Sequence, residues 1–162
     1  MNWHWRRLAW PALVVVLLAG CGGPAAAPTD PLAPLALPAL EAVALDGRPL
    51  RVVATTSLIG DVAARVGGPA IDLTTLMAPG QDPHSYQPAA AGLAAAADAD
   101  LIFVNGWNLE EALVKDLTTI GRKAIIVPIS AGIEPRKITD GGEDHDHGPF
   151  DPHVWRDVGN VL

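Results

Sequence analysis

Four short apolar segments, separated by segments of helical character, constrain the fold of this chain most strongly. Each apolar segment is rich in β-branched residues, as is typical of strands that are buried in a parallel sheet. An alternation of strand and helix implies parallel strands joined by right-handed crossovers, with helices on both faces. We therefore predict an α/β lobe with a four-stranded parallel sheet flanked by helices. The predicted strands are residues 50–55, 71–77, 101–104 and 124–127.

The segments between the predicted strands have the composition and spacing of helices. Residues 58–66 end at a Gly-Gly pair, and residues 89–97 are rich in alanine, which has the highest helix propensity. The last segment has the pattern of a capping box, with Asn108 at its start, Glu111 three residues later and Gly121 after its end. Its apolar residues recur at helical spacing and predict one buried face. They are Leu109, Leu113, Leu117 and Ile120.

The charge and the cysteine content exclude two classes of protein. The chain carries 18 acidic and 11 basic residues, which gives a formal net charge of -7. Such an acidic balance argues against a nucleic-acid partner and is compatible with cation binding. The one cysteine, Cys21, excludes an intramolecular disulfide framework.

The first residues of the chain have the features of an export signal. Arg6 and Arg7 precede a short apolar run, and two small residues follow it directly before Cys21. This pattern is typical of a bacterial lipoprotein signal, and the run is too short to span a bilayer. We predict a signal peptide over residues 1–20 and lipid attachment at Cys21. The alternatives are a signal peptide that only happens to end near a cysteine and a twin-arginine signal.

Proline and alanine dominate the sequence that follows Cys21. Proline at this density favours extended backbone and prevents helix formation. We predict a lipidated cysteine and tether over residues 21–49 and the folded lobe over residues 50–162. A tail without a function would have the same composition.

Two histidines follow the same Asp-Pro dipeptide. His84 comes after the second predicted strand, and His153 comes after the fourth strand and its loop. Proline fixes its own φ and restricts the residue before it, so each imidazole lies on a stiff backbone. In the second turn, Asp151 is a candidate helix cap with Pro152 as the first helical residue.

Both turns follow strand ends, where open α/β sheets bind their ligands. We therefore expect the two imidazoles to converge at one edge of the sheet. Imidazole suits Zn, Mn, Fe, Ni and Cu alike, so the pair predicts a class of metal rather than one metal. For either turn taken alone, a purely structural role is the alternative.

Three ordered motifs resemble the zinc/manganese solute-binding proteins of metal ABC importers, the cluster A-I or ZnuA/TroA-like family. They are PGQDPHSYQP at 79–88, NGWNLE at 105–110 and DPHVW at 151–155. The opening VATTS at 53–57 is also similar, and the resemblance runs from about residue 51 to the end. It implies that His84 and His153 are the two metal ligands of the family's N-terminal lobe.

The same resemblance implies that the other ligands, a His or Glu and an Asp, come from a second lobe reached through a long helix. We expect this second lobe to be absent from the chain, because Leu162 falls near the start of that helix. Family members that carry zinc often have a His/Asp-rich insert before the DPHVW motif. His145 and His147 could therefore form an accessory metal loop, or they could be incidental residues of a solvated loop.

Two positions depart from the family's pattern. After DPHVW the family usually continues with Leu-Asp-Pro, whereas this chain has Arg156, Asp157 and Val158, which affects packing at the helix start. Asn160 still fits the pattern. Trp107 stands where the family often has a small or aliphatic residue, and it either lines the cleft or fills the core.

The resemblance implies a non-enzymatic protein that captures Zn or Mn outside the cytoplasm and delivers the ion to an ABC permease. It would be held on the membrane by its lipid anchor, at the extracellular face or in the periplasm. One alternative is a surface adhesion lipoprotein with incidental metal binding. Another is a zinc hydrolase, which would need a general base and an open coordination position.

Overall fold

The β-branched segments form the strands of the sheet that the sequence predicts. A computed structural model describes residues 35–138 and 150–160, all within one unit. The strands pair in parallel in the order β2-β1-β3-β4, which confirms the predicted four-stranded parallel sheet. The bounds of β3 match the prediction, and the ends of the other three strands differ from it by one or two residues. The strands are Leu50–Ala54 (β1), Ile71–Thr75 (β2), Leu101–Val104 (β3) and Ile125–Pro128 (β4).

Three α-helices connect these strands, namely Ser57–Gly67 (α1), Ala90–Asp98 (α2) and Glu111–Ile120 (α3). The Thr56 side chain caps α1 by accepting the N–H of Ile59 at 3.3 Å. Helix α2 has no side-chain cap and relies on the helix propensity of its alanines.

The start of α3 differs from the predicted capping box. Trp107 and Asn108 have φ angles of 50° and 58°, in the left-handed region, so Asn108 does not cap the helix. The helix begins at Glu111 instead, after Glu110 at the cap position. The physical reason is that the Glu110 carboxylate turns inward and accepts the N–H of Asn105 at 2.7 Å, which closes the intervening residues into a loop. The predicted start was wrong, whereas the end at Gly121 is confirmed.

Helices cover both faces of the sheet, as predicted. On one face, α1 lies so close to β2 that a Cβ on Gly60 would overlap the Thr75 side chain. Thr75 pairs with Ala54, so the neighbouring Val53 points to the opposite face. There Val53 packs with α2 and α3 in a buried cluster. The cluster comprises Val53, Met77, Ala96, Ala99, Ile102, Val104, Leu113 and Leu117.

The strand order creates a switch point at the centre of the sheet. The chain leaves β1 for β2 on one side, returns over β1 to β3, and then continues outward to β4. The connections that follow β1 and β3 therefore diverge, and open sheets bind ligands in the crevice outside the strands at such a point. Thr55 and Asn105, the residues directly after β1 and β3, are both buried there.

The segment 35–49 contacts the sheet at both ends. The Leu35 carbonyl accepts the N–H of Gly132 at 2.8 Å beyond the carboxyl end of β4. At the opposite end of the sheet, the Arg48 guanidinium pairs with Asp100, directly before β3, at 2.5 Å. This part of the predicted tether therefore runs along the lobe from one end of the sheet to the other.

Several predictions from the sequence fall outside the described residues. They are the signal peptide at residues 1–20, the lipid attachment at Cys21 and the accessory loop of His145 and His147. Within ranges 35–138 and 150–160, no helix has both the length and the apolar character needed to cross a bilayer.

Candidate metal centre

The two Asp-Pro-His turns share one backbone geometry. Asp82 Oδ1 accepts the N–H of His84 at 3.0 Å, and Asp151 Oδ1 accepts the N–H of His153 at 3.0 Å. Each is a turn in which the aspartate side chain bonds the backbone two residues on, while proline fixes the residue between. The repeated tripeptide is therefore a repeated structure that fixes the backbone carrying each imidazole.

The first turn is tied to the sheet by the residues that follow the histidine. The Ser85 hydroxyl donates to Asp82 Oδ2 at 2.6 Å, and the Tyr86 hydroxyl donates to the carbonyl of Leu76 at 2.6 Å. The Ser85 bond, followed by that of the His84 N–H, lowers the pKa of Asp82. The carboxylate is thus held ionised, as an acceptor, at the base of an exposed His84.

The second turn does not start the helix that the sequence predicts. Asp151 accepts the N–H of His153 as a cap would, but His153 has ψ 55° and the chain continues as two short 3-10 turns, Val154–Arg156 and Val158–Asn160. One physical reason is that the Pro152 carbonyl accepts from the Asn105 side chain at 2.9 Å and is drawn toward the sheet. The predicted helix start at Pro152 was therefore wrong.

The rings of His84 and His153 meet at the carboxyl edge of the sheet, as expected. Their centroids are 5.7 Å apart, with an interplanar angle of 74°. A metal–nitrogen distance of about 2.0–2.1 Å places two imidazole centroids about 5 Å apart on a tetrahedral cation. The two rings are thus close to the separation that one shared cation requires.

A carboxylate orients the His153 ring. Asp151 Oδ1 lies 2.6 Å from the ring Nδ1, and the His153 side chain is only 18% exposed. Burial would raise the pKa of Asp151, but the hydrogen bonds and charge of His153, together with Arg156, outweigh burial and lower it. An ionised carboxylate only accepts, so the bond places a proton on Nδ1 and leaves Nε2 as the ring nitrogen that could accept a metal ion.

A buried polar network lies beneath the second turn, and sequence reasoning gave it no role. Glu110 Oε1 accepts from the Thr55 hydroxyl and from the Asn105 N–H, both at 2.7 Å. The Ser130 hydroxyl donates to the Asn105 carbonyl at 2.5 Å. Burial raises the pKa of Glu110 even though these hydrogen bonds oppose it. The sequence feature that could have indicated this role is an acidic residue directly after Leu109, within a segment predicted to be buried.

Trp107 packs against the residue that precedes the second turn. Its ring meets that of Phe150 edge-on, with centroids 5.3 Å apart, and Trp107 is half-buried. Of the two roles that the sequence left open, the contact favours a packing role. Together with Asn105, it attaches the β3–α3 loop to the second turn.

The described part of the chain contains no group of three or more His, Cys, Asp or Glu side chains placed to hold a metal ion. The histidine pair therefore offers two nitrogen ligands on one side of a cation.

The doubly wound sheet and its histidine-bearing edge define the class of the chain, an α/β ligand-binding lobe. Its residues 52–162 match the family model described as ZnuA, zinc-uptake complex component A, periplasmic. The chain belongs to this family.

Curated relatives carry the same region as part of longer proteins. The manganese-binding lipoprotein MntA of Halalkalibacterium halodurans is 34% identical over 119 residues, 72% of this chain and 37% of the relative. The manganese ABC transporter substrate-binding lipoprotein PsaA of Streptococcus mitis is 35% identical over 126 residues, 74% of this chain and 40% of the relative. The chain therefore spans well under half the length of these relatives.

A solved structure has the same fold. The Mn-bound periplasmic metal binding protein of Candidatus Liberibacter asiaticus superposes with a TM-score of 0.58 at 33% identity. The match covers 68% of this chain and 40% of that protein. This likeness confirms the α/β fold of the lobe.

Proposed function

We propose that this chain is the N-terminal lobe of an extracytoplasmic solute-binding protein that captures a divalent transition metal, Zn or Mn, for an ABC-type importer. In this proposal His84 and His153 are the two metal ligands of the lobe. The observation that carries it is the pair of imidazoles with centroids 5.7 Å apart, one of them oriented by Asp151.

The names of the relatives support both the cargo and the partner. They include manganese-binding and iron ABC transporter substrate-binding lipoproteins, and the solved structures include Mn-bound and Cd-bound forms. These relatives are substrate-binding proteins, which supports a role in binding rather than catalysis. We propose that this chain, like a substrate-binding protein of an ABC transporter, also associates with a membrane permease. Because two imidazoles suit several metals, the choice between Zn and Mn depends on ligands outside this pair.

The proposed organisation follows the sequence. Residues 1–20 are the signal peptide, residues 21–49 the lipidated Cys21 and tether, and residues 50–162 the metal-binding lobe. Lipid attachment at Cys21 places the protein on the outer side of the cell membrane, at the extracellular face or in the periplasm. In this proposal His145 and His147, which precede the second turn in the sequence, form an accessory metal loop.

Metal titration of histidine variants tests this function. The full chain is titrated with Zn²⁺ and Mn²⁺ in competition with a chromophoric chelator, as wild type and as the His84→Ala, His153→Ala and double variants. We expect the double variant to lose at least about 100-fold in affinity, because losing a ligand costs more than the 10–100-fold typical of an outer-shell partner.

The matched control is the His145→Ala/His147→Ala variant, which removes the same number of imidazoles. We expect it to keep the main affinity and to lose only weaker, additional binding. Circular dichroism checks that each variant is folded. Wild-type affinity in the folded His84→Ala/His153→Ala variant would contradict the capture function.

A further inference from the structure

One buried side chain connects the sheet to the backbone of the second histidine turn. Asn105 directly follows β3, and its Nδ2 donates to the carbonyl of Pro152 at 2.9 Å. Pro152 is the residue before His153, so this bond acts on the peptide that carries the imidazole. Asn105 is 1% exposed, which shields the bond from competing water.

Asn105 is itself held on several sides. Its N–H donates to Glu110 Oε1 at 2.7 Å, and its carbonyl accepts from the Ser130 hydroxyl at 2.5 Å. Its Nδ2 also donates to the carbonyl of Gly106 at 3.0 Å. Glu110 is anchored in turn by the Thr55 hydroxyl at the end of β1. The carboxylate therefore joins the ends of β1 and β3 and fixes the residue that holds the turn.

The Glu110 carboxyl occupies a position that is costly for the fold. The residue is 2% exposed, and its Oε2 has no hydrogen-bond partner among the described residues. A buried polar oxygen without a partner costs stability that an apolar side chain of similar size would not. Glu110 lies at the switch point and is linked to the second histidine turn through Asn105. Its burial is better explained by a role in holding that turn than by a contribution to the stability of the core.

We propose that Glu110 and Asn105 are positioning residues, which hold the backbone of the second turn so that the His153 ring stays beside the ring of His84. The inference rests on the proposed metal capture, because positioning matters only if His153 is a ligand. In this view the β3–α3 loop organises the metal site without touching the metal.

Three variants and a control test the positioning role in the full chain. Asn105→Ala removes the donor to Pro152, and Glu110→Leu removes the acceptor that fixes Asn105. Glu110→Gln keeps an oxygen that accepts the same two hydrogen bonds. The control, Ile102→Val, shortens a fully buried side chain of the hydrophobic cluster on the same strand and lowers stability.

Two readouts separate positioning from general stability. The first is affinity for Zn²⁺ and Mn²⁺, and the second is the pair of His153 ring ¹⁵N shifts in the metal-free chain, which report the tautomer. We expect Asn105→Ala and Glu110→Leu to lose about 10–100-fold in affinity, as typical for outer-shell partners. In both variants the ring shifts move toward a mixture of tautomers. Glu110→Gln stays close to wild type, and Ile102→Val lowers only the urea midpoint.

Wild-type affinity and ring shifts in folded Asn105→Ala would overturn the inference. An affinity loss that tracks the urea midpoint equally in Asn105→Ala and Ile102→Val would also overturn it. If Glu110→Leu does not fold, Asn105→Ala decides alone. Failure of the proposed function looks different: His153→Ala then binds metal as wild type does, whereas the ring shifts still report whether the turn is held.

Discussion

Two identical tripeptides use their aspartates differently. Asp82 bonds the backbone of His84 and the Ser85 hydroxyl, whereas Asp151 bonds both the backbone and the ring nitrogen of His153. The first carboxylate stabilises the turn, and the second also selects the tautomer and orientation of the imidazole.

The Asp151 contact leads to a prediction on metal affinity. Asp151→Ala should lower affinity by about 10–100-fold, because the ring loses its acceptor. Asp151→Asn should lower it less, since the amide oxygen still accepts. The measurement is competition titration with a chelator. Asp157→Asn removes a nearby exposed charge and serves as control. Unchanged affinity in Asp151→Ala would mean that Asp151 does not orient a metal ligand.

At the scale of elements, the sequence correctly predicted those features that depend on residues close together in the chain. The strands lie where β-branched residues cluster, and α3 ends at Gly121 as its sequence indicates. The start of α3 was mispredicted because Asn108 and Glu111 satisfy a local capping pattern. The bond from Asn105 to Glu110, which fixes the loop instead, requires a side chain to turn inward, and no periodicity reveals that.

The candidate metal site also has one feature that the sequence predicted and one that it did not. The convergence of His84 and His153 was predictable, because parallel strands place their carboxyl ends on one edge. The network beneath the second turn was not, because its bonds join residues far apart in the chain, such as Thr55 with Glu110 and Asn105 with Pro152. Only the folded chain shows which buried polar residues meet.

Two helical glycines give a matched test of element packing. A Cβ on Gly60 of α1 would lie 2.9 Å from Thr75 Cγ2 and even closer to its hydroxyl. A Cβ on Gly92 of α2 would approach the end of the flexible Leu76 side chain at 3.0 Å and make an ordinary contact with Pro88 at 3.6 Å. Gly60→Ala should therefore lower the free energy of unfolding by about 1–3 kcal/mol. Gly92→Ala should stay within about 1 kcal/mol of wild type, because better helix propensity offsets a small adjustment. Equal urea midpoints for the two variants would show that α1 can move away from β2.

At the scale of the whole molecule, one ion pair fastens the segment before β1 to the start of β3. The hydrogen bond from Arg48 lowers the pKa of Asp100 to about 2, against a usual value of 3.8. The pair is partly exposed, so salt and water reduce its contribution to stability. It nevertheless gives the lobe a defined response to acid.

The sign of that response follows from the lowered pKa. The ionised Asp100 is favoured in the folded chain, so its contribution is present above the usual pKa and is lost as pH falls toward 2. We expect the urea midpoint to fall over this range and Asp100→Asn to reduce that slope. Asp98→Asn removes an equal charge at the exposed end of α2 and should leave the slope unchanged. The same slope in wild type and Asp100→Asn would rule out the pair as its cause.

The order of the strands places the two histidine turns after the outermost strands of the sheet, β2 and β4. Neighbouring strands are about 4.8 Å apart, so the outer strands are separated by about 14 Å. The rings that follow them lie 5.7 Å apart. Because the second turn is bonded to Asn105 at the end of β3, a cation held by both rings would be a removable cross-link between the end of β2 and the end of β3. Metal binding would then reduce the motion of two strands that are not neighbours in the sheet relative to each other. The flexibility of the lobe would therefore depend on whether a metal ion is bound.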